Sequence, residues 1–202
     1  SVFVADHLYQ DGKIDQQALD SVGKMGGDFY SFTKHLEKIR YRDGKLDGYG
    51  SRLHYFSDWI ANNQKKGLVK NITADIGGKP LKKAINFMGT HRNLYPFLKD
   101  DENFKKILQT EAELAKRELY VLAQDQIKTN EHLLKTGDIL AFATSINGLD
   151  VTHTGFAIKH NGRIHLLHAS TGSNMVEISK LPLADYIKKI KKNTGIMVAR
   201  PL

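Results

Sequence analysis

The chain has 202 residues, of which 41% are hydrophobic, and this composition is sufficient for one compact domain with a substantial core. It contains no cysteine, which excludes disulfide bonds, thiolate metal sites and a cysteine nucleophile among these residues, and no apolar run approaches the ~20 residues that span a bilayer. The formal net charge of +8 favours an anionic partner, such as nucleic acid, lipid headgroups or an acidic cell-wall polymer.

The N-terminal residues have the pattern of a buried helix that is already under way at Ser1 and ends near Asp11-Gly12. A start without Met or a leader is expected of a processed product or a fragment. Asp28 is predicted to cap a second helix, in which apolar residues recur at helical spacing as far as Ile39. Residues 40–50 are loop-like, because glycine, tyrosine and charged residues are concentrated there.

The segment from Ser51 to Ile60 is predicted to be a helix that Ser51 caps. Its buried stripe would consist of Leu53, Phe56 and Ile60. An adjoining face would place a guanidinium beside aromatic rings, from Arg52, Tyr55 and Trp59. The same spacing also fits a half-buried helix whose arginine forms a salt bridge, so the pattern leaves both interpretations open.

Residues 68–90 have the pattern of strands broken at Gly77-Gly78, and residues 92–119 return to a helical pattern. From Tyr120 onward short β-type runs dominate, and a Lys-rich helix at 182–192 interrupts them. No internal repeat or low-complexity segment divides the chain.

These elements predict an α+β fold in a single domain that comprises residues 1–202. A mainly helical half with substrate-binding insertions, at 1–119, would pack on an antiparallel β-sheet at 120–202.

The strongest local signal is Asn161-Gly162, which lies between two alternating apolar runs and is typical of a two-residue β-hairpin turn. Residues that face each other across such a hairpin share a sheet face, and the faces alternate along each strand. His153 and His168 then become diagonal neighbours on one face, about 7–8 Å apart between backbones, so their imidazole rings can meet. Gly155 keeps that face shallow. His165 lies on the opposite face, where we expect a structural role.

Three segments in this order resemble the core of the NlpC-like cysteine peptidases of bacterial cell walls. They are Thr-Gly-Asp-Ile-Leu at 136–140, His-Thr-Gly-Phe-Ala-Ile at 153–158 and His-Ala-Ser at 168–170. Further segments resemble the N-acetylmuramoyl-L-alanine amidase-like branch of these proteins. They are Arg-Tyr-Arg-Asp-Gly at 40–44, the run at 51–59 and Gly-Ile-Met-Val at 195–198. The resemblance extends over nearly the whole chain.

The resemblance implies a papain-like fold in which a catalytic cysteine begins a helix, His153 is the general base and His168 orients the base. In the branch, the cysteine precedes a Thr/Ser-x-Phe-Val pattern, and Ser1-Val2-Phe3-Val4 fits the positions that follow it. The nucleophile is therefore expected immediately before Ser1. A helix dipole and a nearby imidazolium favour the thiolate of such a cysteine.

Substrate contacts are expected mainly in the basic and aromatic segment between residues 40 and 59. The candidates for binding substrate carboxylates are Arg40, Arg42 and Arg52. The candidates for stacking against sugar are Tyr55 and Trp59. The predicted substrate-binding set is completed by Ser51, His54 and Ser170.

The expected function is that of a cell-wall amidase, which hydrolyses an amide bond of peptidoglycan fragments, between MurNAc and L-Ala, by a Cys-His-His mechanism. Muropeptides are the expected partners, no cofactor or metal is expected, and the chain is expected to be a periplasmic or secreted monomer. The four lysines between residues 188 and 192 are interpreted as a solvated helix face.

Several alternatives stay open. Without the cysteine, the chain could be an inactive muropeptide-binding module, and Ser1 could instead act as an N-terminal nucleophile with its own amine as base. A nucleic-acid binder is suggested by charge alone, since no recognition motif accompanies the charge. A zinc site would need a third ligand besides His153 and His168, and no carboxylate or histidine at helical spacing provides one.

Overall fold

The computed structural model of the protein describes residues 29–202. The first predicted helix, the Asp28 cap and the position of Ser1 lie outside these residues. The helices of the described part are α1 (Phe29–Arg40), α2 (Phe56–Lys65), α3 (Phe87–Thr90), α4 (Asp101–Leu114), α5 (Ile127–Asn130) and α6 (Leu183–Lys188). Short 3-10 turns lie at Tyr49–Ser51, Arg92–Leu94, Pro96–Lys99, Gln124–Gln126 and Glu131–Leu133.

The strands form one antiparallel sheet, so the predicted α+β class is confirmed. They are β1 (Val69–Asn71), β2 (Lys79–Pro80), β3 (Tyr120–Ala123), β4 (Ile139–Thr144), β5 (Val151–His160), β6 (Arg163–Ser170), β7 (Met175–Ile178) and β8 (Asn193–Pro201). Their order across the sheet is β2-β3-β8-β4-β5-β6-β7, and β1 also pairs with β8. Two short strands of the predicted helical half, β1 and β2, therefore belong to the sheet. The extent of the domain, 1–202, stays a prediction.

Helices cover both faces of the sheet. Successive residues of its central strands point to opposite sides, so each of these strands contributes to two cores. Leu140 and Phe142 of β4 join a core that contains buried residues of α5 and α6. Ala141 and Ala143 join a second core, which contains Phe56 and Ile60 of α2. A third cluster lies away from these two and includes buried residues of α4. This layering determines which face each candidate residue can serve.

The prediction that Ser51 caps a helix was wrong. Helix α2 begins at Phe56, and Ser51 belongs to the 3-10 turn before it, where its hydroxyl donates to the Gly48 carbonyl at 2.8 Å. Arg52 is extended and forms an isolated antiparallel bridge with Tyr41. Arg52 is held extended because the Ser51 carbonyl and the Leu53 amide on either side of it bond to backbone on the far side of the loop.

Helix α2 obtains its N-terminal acceptor from a distant residue. The buried carboxylate of Asp150, the residue before β5, accepts from the Ser57 amide at 2.8 Å and from the Ser57 hydroxyl at 2.9 Å. A carboxylate at this position satisfies donors that a local cap would otherwise satisfy. The start of α2 is thereby fixed by a residue 93 positions away in the sequence.

The helix predicted over residues 92–119 is also shorter than expected, since α4 comprises Asp101–Leu114. Its buried residues are Ile107, Glu111 and Leu114, whereas Leu108 is 43% exposed. Glu111 lies in the interior because it accepts hydrogen bonds from the Tyr55 hydroxyl and the Gly89 amide. Within residues 29–202, no helix combines the length and apolar character that crossing a bilayer requires.

Candidate active site

The hairpin predicted around Asn161-Gly162 is confirmed. Strands β5 and β6 pair in the expected register, from His160 opposite Arg163 to Phe156 opposite Leu167. Both turn residues have positive φ, 49° for Asn161 and 78° for Gly162, as a type I′ turn requires. The sequence therefore determines which side chains of this hairpin share a face.

The hairpin brings His153 and His168 into direct contact. His153 Nε2 lies 2.9 Å from His168 Nδ1, and the two rings are nearly perpendicular with centroids 5.0 Å apart. Because one of these two nitrogens donates and the other accepts, each ring fixes the tautomer and orientation of the other. If His153 Nε2 is the donor, His153 Nδ1 carries a lone pair and can accept a proton.

Two aromatic side chains hold the histidine pair from the same face of the sheet. The edge of Phe142 lies against His153, with ring centroids 5.5 Å apart, and Tyr186 of α6 lies against His168 at 5.4 Å. His168 is only 4% exposed, whereas His153 is partly accessible. Of the two imidazoles, His153 is therefore the one that a substrate can reach.

Both imidazoles are neutral in a larger part of the pH range than a free histidine. Burial lowers the pKa of His153, and the neighbouring His168 lowers it further. Burial also lowers the pKa of His168, an effect that the carboxylate of Glu177 opposes. A neutral imidazole near pH 7 is the form that can act as a general base.

The packing around the histidine pair requires a residue without a side chain at position 155, which is Gly155. A Cβ at this position would lie 2.6 Å from the Leu167 carbonyl oxygen, 2.7 Å from Leu166 Cδ1 and 3.1 Å from His168 Cβ. Strand β6 itself therefore occupies the space immediately next to Gly155.

We expect Gly155→Ala to destabilise the protein by about 1–3 kcal/mol, the usual cost of overpacking, and to displace His168 from His153. Urea-induced unfolding measures the first effect, and the histidine Cε1–Hε1 NMR signals report the second. Gly172→Ala is the matched control, because a Cβ there would meet only the Ser170 hydroxyl, at 3.7 Å. Equal stability of the two variants would contradict this account of Gly155.

His165 lies on the other face of β6, where its contacts are those of a structural residue. Its Nδ1 lies 2.8 Å from the Ser179 carbonyl oxygen, and its side chain is buried. Asp138 accepts from the Lys135 amide and forms a two-point ion pair with Arg200. In the part of the chain that the structure describes, no cluster of three or more histidine, aspartate or glutamate side chains could hold a metal ion.

Three of the predicted substrate-binding residues line a separate cleft of about 280 Å³ on the α2 side of the sheet. These are His54, Tyr55 and Trp59, and the opposite wall includes Thr154, the neighbour of His153. His54 Nε2 lies 3.1 Å from the Tyr49 carbonyl oxygen, and burial lowers the pKa of its ring. Because adjacent strand residues alternate, the cleft opens on the face of β5 opposite to the histidine pair.

Two candidates, Tyr55 of this cleft and Arg42, are already engaged by other side chains. Tyr55 is 3% exposed, and its hydroxyl donates to Glu111 at 2.6 Å and accepts from the Met88 amide. Burial, reinforced by the bond to Glu111, raises the pKa of this phenol. Arg42 donates to the buried Asp58 at 2.7 Å. These contacts explain both side chains without a ligand.

The remaining candidates lie at the surface or in turns. Arg52 is exposed, and Arg40 is partly buried. Ser51 stabilises its own turn, and Ser170, at the end of β6, accepts from the Ser173 amide. The structure thus groups His153 with His168, and His54 with Tyr55 and Trp59, whereas Arg42 and Ser51 line a different pocket.

The sequence did not single out Glu177 and Tyr186, which both interact with His168. Glu177 of β7 is the direct partner of His168 across the β6–β7 pair. A signal for this neighbour was present, because the turn-forming run Thr-Gly-Ser-Asn at 171–174 fixes the register of the next strand. Tyr186 is on α6, and its approach to His168 has no local signal.

Both the sequence and the fold are similar to those of known proteins. Residues 18–196 match the N-acetylmuramoyl-L-alanine amidase-like family. An N-acetylmuramoyl-L-alanine amidase from Bacteroides uniformis is 38% identical, with a TM-score of 0.81 over 86% of this chain and 74% of that one. A Bacteroides fragilis protein named a candidate xylanase is 41% identical, with a TM-score of 0.80 over 86% and 76% of the two chains.

A Legionella pneumophila protein shares the fold at lower similarity, with 23% identity and a TM-score of 0.59 over 87% of this chain and 70% of that one. No curated protein sequence matches the chain at a significant level. The family match covers most of the chain, and the two Bacteroides structures are similar over more than two thirds of their own length. The chain therefore belongs to the N-acetylmuramoyl-L-alanine amidase-like family.

Proposed function

We propose that the protein is a cell-wall amidase that hydrolyses the amide bond between MurNAc and L-Ala in peptidoglycan fragments. The observation that carries the proposal is the 2.9 Å contact between His153 Nε2 and His168 Nδ1, in which His153 is the more accessible of the two imidazoles. We further propose a papain-like fold of the NlpC type, with a cysteine nucleophile immediately before Ser1. The family membership supports amidase chemistry, and the neutral, oriented imidazole supports a general base.

In the proposed mechanism, the His153 Nε2–H donates to His168 Nδ1, so that His153 Nδ1 accepts the thiol proton. The thiolate attacks the amide carbonyl, and the oxyanion that forms is stabilised by backbone N–H groups at the start of the cysteine's helix. His153 then donates its proton to the leaving amine, and a water molecule hydrolyses the thioester. His168 holds the ring of His153 throughout and stabilises its charged form.

The name of the Bacteroides fragilis relative raises a second possibility, glycoside hydrolysis. Glycosidases generally act with a pair of carboxyl groups on either side of the scissile bond. The structure instead places two imidazoles in direct contact, with the Glu177 carboxylate on the strand beside His168. An imidazole oriented by a second imidazole favours acyl transfer over glycoside hydrolysis.

Product analysis tests the proposed function. The protein with a cysteine before Ser1 is incubated with muropeptides, and the products are separated and weighed by mass spectrometry. We expect a peptide with a free L-Ala amine and an intact sugar carrying the lactyl carboxylate, each product accounting for one side of the amide bond. Release of shorter glycans with intact peptides would replace the amidase proposal by glycosidase activity.

Arg52 is the candidate for a substrate carboxylate that the structure leaves exposed, unlike Arg42, which is paired with Asp58. In a chain that carries a cysteine before Ser1, we expect Arg52→Lys to reduce kcat/KM by about tenfold or more, because hydrogen bonds to charged groups contribute ~1.5–3 kcal/mol and lysine cannot form the two-point contact. The thermal midpoint should not change, since the side chain is exposed. Wild-type kinetics for Arg52→Ala would remove this role.

Muropeptides are the proposed partners, and we propose the periplasm or the extracellular space as the compartment where the protein meets them. Fractionation of cells that express the full-length gene, followed by immunodetection, tests the compartment.

A further inference from the structure

Strand β7 places a carboxylate beside the less accessible of the two histidines. Glu177 lies directly opposite His168 across the β6–β7 pair. Directly opposed residues of antiparallel strands share a sheet face, with Cβ atoms about 4.5–5.5 Å apart. A glutamate carboxylate, two carbons beyond its Cβ, can cross this gap to the far side of an imidazole. Glu177 is partly buried, so its charge is only partly screened by water.

The second ring nitrogen of His168, Nε2, lacks a hydrogen-bond partner among the described residues. His168 Nδ1 contacts His153, whereas His168 Nε2 is buried and has no hydrogen-bond partner in the described part of the chain. When His153 donates to Nδ1, the His168 proton resides on Nε2. A buried N–H without an acceptor is costly, and the cost rises when the proton transfer gives the pair a positive charge.

We propose that Glu177 is a positioning residue that acts through His168: its carboxylate accepts a hydrogen bond from His168 Nε2–H and so extends the pair into a His153–His168–Glu177 chain. The proposal rests on the catalytic role proposed for the pair. With the Nε2–H held by Glu177, the Nδ1 lone pair of His168 faces His153, whose own Nδ1 is then left unprotonated to act as base.

The charged and titratable groups around His168 are consistent with this role. They are His153 from β5, Glu177 from β7 and Tyr186 from α6. The Glu177 charge raises the pKa of His168 against the lowering effect of burial, and it also contributes to the raised pKa of Tyr186. Two side chains on different elements therefore respond to the same carboxylate.

An NMR titration of the chain as it stands tests the proposal without any need for activity. Histidine Cε1–Hε1 signals are followed with pH in the wild type, in Glu177→Gln and in Glu113→Gln, an exposed glutamate on α4 that pairs with Lys116. We expect the His168 pKa to be lower in Glu177→Gln than in the wild type and unchanged in Glu113→Gln. The ¹⁵N shifts should show a protonated Nε2 on His168 in the wild type.

Glu177→Asp is the second variant, because it keeps the charge and shortens the reach. Its His168 pKa should lie between the values of the wild type and Glu177→Gln. A His168 pKa that is the same in the wild type and Glu177→Gln, or one in Glu177→Asp at or below that of Glu177→Gln, would overturn the proposal.

Kinetics supply a second readout once a cysteine precedes Ser1. We expect Glu177→Gln to lower kcat by about tenfold with KM unchanged, a smaller loss than the 10²-fold or more that an acid–base group itself contributes. An inactive wild type with the expected titrations would count against the amidase proposal alone. Unaltered titrations in an active enzyme would count against Glu177 alone.

Discussion

Replacement of His153 by alanine, in a chain that carries a cysteine before Ser1, is expected to abolish the hydrolysis of muropeptides, with a loss of about 10³-fold or more. His153 is the partly accessible member of the pair, and its ring is already oriented by His168 at 2.9 Å. Alanine removes the proton acceptor and leaves the surrounding sheet intact. The rate of peptide release at saturating substrate measures the effect.

The two other histidines of the hairpin are the controls for this variant. His168→Ala should cost about 10²-fold, because it removes orientation while the base remains. His165→Ala should leave the chemical step nearly unchanged, since His165 bonds to the Ser179 carbonyl on the other face of β6. Should His165 be required and His153 dispensable, the base has been assigned to the wrong face of the hairpin.

The chain of 202 residues, with no cysteine, is expected to hydrolyse no muropeptide at all. Neither imidazole can replace a thiolate as a nucleophile toward a stable amide. On the proposed alignment, Ser1 follows the nucleophile by one residue, so in a helix its side chain would point about 100° away from the required direction. Mass spectrometry after incubation with and without the added cysteine measures the difference.

The same experiment separates the alternatives. Binding without cleavage by the cysteine-free chain, with cleavage once cysteine is present, agrees with the proposal. Binding without cleavage in both forms would instead favour an inactive muropeptide-binding module. Cleavage by the cysteine-free chain that is lost when its N-terminal amine is acetylated would identify Ser1 as the nucleophile.

The parts of the site that could be predicted from sequence are those with a short, periodic signal. Asn161-Gly162 fixed the turn, and the two-residue period of a strand then placed His153 and His168 on one face and His165 on the other. These relations hold within 20 residues and depend on backbone geometry alone. The same reasoning, continued through the next turn, would have identified Glu177.

The parts that could not be predicted depend on contacts between distant residues. Tyr55 had the spacing of a surface aromatic, yet its hydroxyl reaches Glu111, 56 residues away, and this bond makes its burial possible. The start of α2 is set by Asp150 rather than by Ser51. A single sequence contains no signal for either pairing, because each follows from how the layers pack.

The position of β8 in the sheet has a consequence for how the site is assembled. This strand comes after all the other described strands in the chain, yet it lies in the middle of the sheet, between β3 and β4, and also pairs with β1. Its partners include Val69, which faces Pro201. Pairings of such large sequence separation slow folding, because a long loop must close, and chain entropy is lost, before the new contacts compensate for that loss.

The β5–β6 hairpin can form early and locally, but β4, which supports it, lacks its second neighbour until β8 is in place. The orientation of the histidine pair is therefore a late product of folding, and synthesis must pass the last described strand before the rigid face exists.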